Sequence, residues 1–137
     1  MGNNVEVKSN TDEVMRKLRK AMEKAAKMIG GTIESHAKER CPVDTGLLRN
    51  SIAYAVSGEA PSIGTYTDNS GGKTGSYEGT APIASSDDEV TVCVGTNVYY
   101  APYQELGAPS INLPAQPYLR PAFENHKAEI ERIIQMN

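Results

Sequence analysis

From Thr11 onward, apolar residues recur at helical spacing. Val14, Leu18, Ala21, Ala25, Met28 and Ile29 fall in one stripe about 100° wide on a helix, with Arg16, Lys20, Lys24 and Lys27 on the opposite side. The pattern predicts a long helix over residues 11–40. Asn10 or Thr11 can cap its start, and Asp12 and Glu13 stand in the first turn, where the helix dipole favours negative charge. Gly30-Gly31 in its interior implies a kink or a close approach by a neighbouring element. Pro42 closes the element, because a residue preceding proline avoids the α region.

The period then changes to two. Ile52, Tyr54 and Val56 alternate with Ala53, Ala55 and Ser57, and Val90, Val92 and Val94 alternate with Thr91, Cys93 and Gly95. Each run reads as a strand with one apolar face. Residues 57–89 between them hold six of the twelve glycines together with Pro61 and Pro82, so a flexible arm or extended loop is expected there, with Tyr66, Tyr77 and Ile83 as apolar anchors. The segment Tyr99–Pro121 is dense in proline and tyrosine and reads as extended. A last helix is expected from about Pro121, whose missing N–H suits the first helical position, with Phe123, Ile130, Ile133 and Ile134 sharing a face. The order helix, strand, arm, strand, extended segment, helix predicts an α+β fold. A long N-terminal helix and a C-terminal helix would pack on a small antiparallel β-sheet within a single domain, 1–137.

Charge and cysteine content narrow the classes of function. Fourteen Lys and Arg against seventeen Asp and Glu leave a net charge of −3, which does not draw the chain to nucleic acid or to an anionic membrane. No apolar run approaches the ~20 residues that span a bilayer, and the opening MGNNVEVKSN lacks a signal-peptide core, so a cytoplasm-like compartment is expected. Cys41 and Cys93 are expected to be free thiols.

Asp44-Thr45-Gly46 is the tripeptide that carries the catalytic carboxylate of aspartic proteases. In those enzymes an apolar strand leads into the Asp, so that two loops bring two carboxylates within reach of one proton. Here AKERCPV leads in, the tail of a charged helix, and Leu47 follows the glycine. The structural reading fits better: Asp44 or Thr45 accepts backbone N–H groups two or three residues on and caps a turn through Leu47–Asn50, while Gly46 supplies a dihedral that a Cβ disfavours. A dimeric protease using Asp44 is the weaker alternative. SGGKTG imitates the end of a phosphate-binding loop, but Thr67 stands where its first glycine is needed and GSYEGTAP cannot open a helix.

His36 and His126 each fall on the apolar stripe of a helix, far apart in the chain and without paired metal-ligand spacing. They read as core-edge histidines, and no metal or other cofactor is expected. Cys41 sits at a helix C-terminus, where the dipole raises a thiol pKa, so it does not read as a nucleophile. Tyr99, Tyr100 and Tyr103 can stack on bases, although such clusters more often serve an interface or a core. The basic face of Arg16, Lys20, Lys24 and Lys27 is either solvated or an electrostatic contact, with DNA phosphate or with an acidic neighbouring subunit.

Three blocks in order, CPVDTGLLRNSI, VGTNVYYAPYQELG and PAQPYLRPAFENHKAEIERII, carry a family resemblance. They resemble the small tail-component family of long-tailed phages and prophages, the gene-ten-product-like family of the Hong Kong-type lambdoid phage. In that family a helix leads into V-D-T-G-x-L-R-x-S-I, a strand ends in G-T-x-x-x-Y-A-x-Y-x-E-x-G, and P-A-x-P-[FY]-L-x-P-A opens the last helix. Matching positions here include Asp44, Thr45, Gly46, Arg49, Glu105, Gly107, Pro117, Arg120 and Pro121. The resemblance implies a virion structural protein and not an enzyme. It would serve in the neck as a head–tail joining or tail-completion component, assembled in the host cytoplasm as a homo-oligomeric ring around the DNA channel. Implied partners are connector or head-closure proteins and tail-terminator or tail-tube proteins. DNA would pass without specific binding, and no membrane is involved. A DNA-binding module using the basic face of helix 11–40 is the alternative.

Overall fold

The computed structural model describes residues 2–43, 46–79 and 89–136, with side chains from Thr11 onward. In chain order the elements are α1 (Gly2–Arg40), α2 (Leu47–Ser51), β1 (Ala53–Val56), β2 (Thr65–Thr67), β3 (Thr74–Ser76), β4 (Val92–Gly95), α3 (Ala101–Leu106), α4 (Leu119–Glu124) and α5 (Lys127–Met136). This is an α+β fold, with two small antiparallel sheets, β1–β4 and β2–β3.

The 39 residues of α1 extend over about 58 Å at the α-helical rise. The helix starts well before Thr11, so neither Asn10 nor Thr11 caps it; the backbone is helical through both. From Thr11 to Lys20 every residue except Arg19 is exposed, Val14 by 61% and Leu18 by 51%. Burial begins at Ala25 and Ala26 and continues through Gly30, Ile33 and Ala37. On a helical wheel this face is turned roughly 90° from the expected stripe. Side-chain size explains the rotation, since a face of Ala and Gly lets a sheet approach more closely than one of Leu and Met. A Cβ on Gly30 would lie 2.6 Å from Cδ2 of Tyr54 and 2.9 Å from Cγ2 of Val92. Gly30-Gly31 therefore marks close packing within a continuous helix.

Under that contact β1 and β4 pair antiparallel, with Ala53 opposite Gly95 and Val56 opposite Val92. Ala53, Ala55 and Val56 are all buried, so β1 is covered on both faces rather than one. The stretch expected to be an arm carries the β2–β3 hairpin, in which Thr65 pairs with Ser76 and Thr67 with Thr74. The ring of Tyr66 lies across Gly75, where no Cβ would fit. Pro82 and Ile83 lie outside the described residues.

Tyr99–Pro121 is not extended throughout. It holds α3 and a 3-10 turn at Pro109–Ile111, and Pro102 and Pro109 stand in the first positions of these helices, where a missing N–H costs nothing. The expected last helix is two: α4 begins at Leu119, before Pro121, and ends at Glu124, and α5 follows the Asn125-His126 turn. Asn125 competes for backbone hydrogen bonds and so disfavours a helix interior. Both α4 and α5 pack on α1. The shared core contains Ile33, Ala37, Leu48, Ile52, Tyr66, Tyr118, Ala122 and Ile130.

Candidate functional site

All three motif blocks feed this one core, and their polar residues tie the elements to each other. Gly46 opens α2 at φ +86°, a conformation that a Cβ disfavours, and its carbonyl accepts the N–H of Asn50 at 2.9 Å. The side chain of Asn69 from the hairpin occupies the space where that Cβ would be. Asn50 Nδ2 donates to the Thr67 carbonyl at 2.7 Å, so α2 and the hairpin are joined directly. Leu48 and Ile52 point into the core, and between them the buried Ser51 donates to the Leu48 carbonyl at 2.6 Å. Ser51 Oγ also meets Oγ1 of Thr96, which in turn accepts the N–H of Val98 at 3.1 Å. The first block is thereby bonded to the second. Asp44 and Thr45, expected to cap this turn, lie outside the described residues. On either side of them the chain is helical, α1 ending at Arg40 and α2 starting at Leu47, so the strand that leads into a protease Asp has no counterpart here.

The hairpin is held by tyrosines and asparagine. Tyr77 donates its hydroxyl to the Ser51 carbonyl at 2.7 Å and accepts the N–H of Asn97 at 3.1 Å. Asn97 Nδ2 donates to the Ser76 carbonyl at 2.9 Å, and its Oδ1 accepts the Tyr66 hydroxyl. Burial pushes both phenols above their usual range. The hairpin tip is organised by Asp68. Its carboxylate accepts the Ser70 hydroxyl at 2.9 Å and the N–H groups of Gly72 and Lys73 at 2.9 and 3.2 Å. The Ser70 hydrogen bond first, and then those backbone amides, hold the carboxyl below the usual range.

Glu105 joins the second block to the third. Its Oε1 accepts the N–H groups of Tyr118 and Leu119 at 3.1 and 2.8 Å, and its Oε2 that of Arg120 at 3.4 Å. A carboxylate borrowed from α3 thus serves the unpaired amides at the start of α4, which has no side-chain cap of its own. Gly107, at φ +80°, ends α3; a Cβ there would lie 2.9 Å from the Ala115 nitrogen and 3.0 Å from the Leu113 carbonyl. Beneath Glu105, Tyr118 is fully buried, and its hydroxyl has no hydrogen-bond partner among the described residues. Burial raises that phenol far above its normal pKa. Cys41 is buried beside it and is pushed up to about 11, chiefly by burial, with Arg49 opposing and Glu105 adding. A thiol so raised is protonated at neutral pH and a poor nucleophile, and it is burial rather than the expected helix dipole that raises it.

The residues expected to make contacts are not one group. Tyr99 and Tyr103 are exposed, whereas Tyr100 is half-buried against the core, its ring edge-on to Tyr99 at 5.3 Å. Leu106 and Ile111, which sequence reasoning missed, are 76% and 71% exposed in the same stretch of chain as Tyr99 and Tyr103. No periodicity could have singled them out, because they sit in short irregular helices. Arg16, Lys20, Lys24 and Lys27 are all exposed on α1, and Lys27 pairs with Glu59 at 3.2 Å. Pro117 and Arg120 are exposed, with Arg120 paired to Glu124 at 3.2 Å, and Pro121 is half-buried in the first turn of α4. A cavity of about 390 Å³ opens where Gly46–Leu48, Lys73, Tyr100, Gln104, Leu113 and Gln116 meet. The fold also brings His36 and His126 face to face at the seam of α1 with the start of α5.

This arrangement is a fastening of elements around a shared core, with long exposed surfaces left over. Residues 6–107 match the family model described as "Bacteriophage HK97-gp10, putative tail-component". The chain belongs to that family. Membership gives it a structural role among phage tail components and a place in the virion. The matched span covers α1 through α3, including the hairpin, and stops at Gly107, so the block that opens α4 lies beyond it. Glu105, inside the span, makes the bonds that bring that block in. No curated protein and no solved structure gives a match. No helix among the described residues is long and apolar enough to cross a membrane.

Proposed function

We propose that this tail component is a neck subunit, joining head to tail or completing the tail, and that it works by geometry as a ring around the DNA channel. The observation that carries the reading is a pair of dissimilar apolar surfaces on separate elements. One is Val14, Met15 and Leu18, exposed on the N-terminal half of α1, and the other is Tyr99, Tyr103, Leu106 and Ile111 around α3. Two different patches on one subunit favour head-to-tail contacts, and such contacts close into rings when the rotation allows. The basic stripe of Arg16, Lys20 and Lys24 suits a neighbour from a chain whose net charge is −3. The remaining partners would be connector or head-closure proteins on one side and tail-terminator or tail-tube proteins on the other, with DNA passing through unbound.

Light scattering coupled to size-exclusion chromatography tests this. The chain is expected to run as a ring, or as a monomer that assembles once isolated connectors or tails are added. Leu106→Asp should abolish assembly while leaving the melting temperature within about 2 °C, as for an exposed substitution. A monomer inert to connectors and tails alike would sink the reading. Tight duplex DNA binding with a steep salt dependence would instead favour the basic face of α1 as a DNA-binding surface.

A further inference from the structure

Two helices present the same tetrapeptide pattern to each other. Toward the end of α1 stand His36-Ala37-Lys38-Glu39, and at the start of α5 stand His126-Lys127-Ala128-Glu129. In each, His and Glu are three apart and share a helix face; the Ile130 N–H bonds the His126 carbonyl at 3.1 Å, which carries the α5 spiral back to His126. The imidazoles lie face to face, with centroids 3.4 Å apart and planes 2° from parallel. One Glu129 carboxylate oxygen reaches both rings, at 3.1 Å from His36 Nε2 and 3.7 Å from His126 Nδ1. On its far side, His36 Nδ1 is 3.7 Å from a carboxylate oxygen of Glu39.

We infer that His36, His126 and Glu129 form a binding site for a divalent transition-metal ion of the zinc, nickel or copper kind, which staples α5 to α1. The three donor atoms already lie within 4.8 Å of one another. Donors around a tetrahedral ion with bonds near 2.1 Å stand about 3.4 Å apart, so little convergence is needed. A parallel stack presents its ring lone pairs side by side, and a shared ion requires the rings to part and turn toward it. Rotation about χ2 of histidine has a broad, shallow profile, and both rings retain some exposure, so this opening meets little resistance. Two imidazoles and one carboxylate suit borderline cations and not magnesium or calcium, which take oxygen ligands. Glu39, behind His36, occupies the position of the outer carboxylate that commonly orients a ligating histidine. Glu129 is 45% exposed, which leaves an entry path and room for water as a fourth ligand.

The test uses the full chain carrying Cys93→Ser, since Cys93 is an exposed thiol and would bind zinc by itself. Calorimetric titration with zinc chloride should give one ion per chain. Saturating zinc should raise the melting temperature by roughly 5–10 °C over the same protein in chelator, with magnesium giving no shift. His126→Gln should weaken zinc binding at least tenfold, and His36→Gln should do the same; if the latter does not fold, His126→Gln and the chelator comparison decide. A melting temperature that is equal in zinc, nickel and chelator would overturn the site without any variant. Zinc binding that is undiminished in His126→Gln would overturn it too. Neither result bears on assembly, so the site and the neck reading stand or fall separately.

Discussion

One carboxylate, Glu105, answers three backbone N–H groups at the start of α4, which gives this motif glutamate a structural job in joining α3 to α4. Glu105→Ala should cost about 2–3 kcal/mol in chemical denaturation, more than an ordinary exposed cap, because charged hydrogen bonds are lost and amides are left unpaired. Glu105→Gln keeps an acceptor oxygen and should recover at least half of that. A melt unchanged by Glu105→Ala would remove the residue from the scaffold. Tyr118, immediately beneath, makes the opposite case. Its ring fills the core while its hydroxyl has no partner among the described residues, and an unpaired buried hydroxyl costs free energy that a phenyl ring does not. Tyr118→Phe should therefore be neutral or stabilising by about 1 kcal/mol. A loss above about 1 kcal/mol on the same scale would mean that the hydroxyl has a partner after all.

Among the elements, those with a regular period were legible and those fixed by tertiary contact were not. The alternation of Ile52–Val56 and Val90–Val94 marked the two strands of the sheet, and the 3.6-residue period marked α1, although not which face of it would be buried. Hydrophobicity ranked Leu18 and Met28 above Ala26 and Gly30, but close approach of Tyr54 and Val92 selected the small residues. The α3 and 3-10 turns are too short for a period to show, and glycine content disguised the hairpin, whose stability comes from Asn97, Tyr77 and Asp68. Glu105 was legible as a motif position but not as a cap, because its partners lie thirteen to fifteen residues away. Asp68 gives the hairpin a pH signature. Its carboxyl is held below the ordinary value of 3.8, so its contribution is complete above that value and lost as pH falls through the lower, folded one. Amide exchange at Gly72 and Lys73, corrected for intrinsic rate, should therefore accelerate as the pH falls below the ordinary carboxyl value of 3.8, relative to core amides of α1. Asp68→Ala should show that fast exchange already at neutral pH. Equal protection in Asp68→Ala and the unaltered chain would show that the turn holds without the carboxylate.

For the molecule as a whole, the decisive asymmetry lies along α1. From Ala25 on, the helix is anchored by the sheet and by α4; from Thr11 to Lys20 it carries Val14, Met15 and Leu18 into solvent beside Arg16 and Lys20. A free-standing helix gains little from its own hydrogen bonds, and most helical stability in proteins comes from packing an apolar face. The exposed apolar residues of α1 therefore have much to gain from a neighbour that covers Val14 and Leu18, and a subunit in a ring would always have one. Val14→Asp together with Leu18→Asp removes that gain without touching the core. The isolated chain should unfold within about 1 kcal/mol of the unaltered protein, since both positions are solvent-exposed. Helix content measured by circular dichroism should rise on assembly of the unaltered chain and stay flat in the double variant, which should remain monomeric by light scattering. A double variant that still assembles with the same helix gain would move the subunit contact off α1 and onto the Tyr99–Ile111 surface alone.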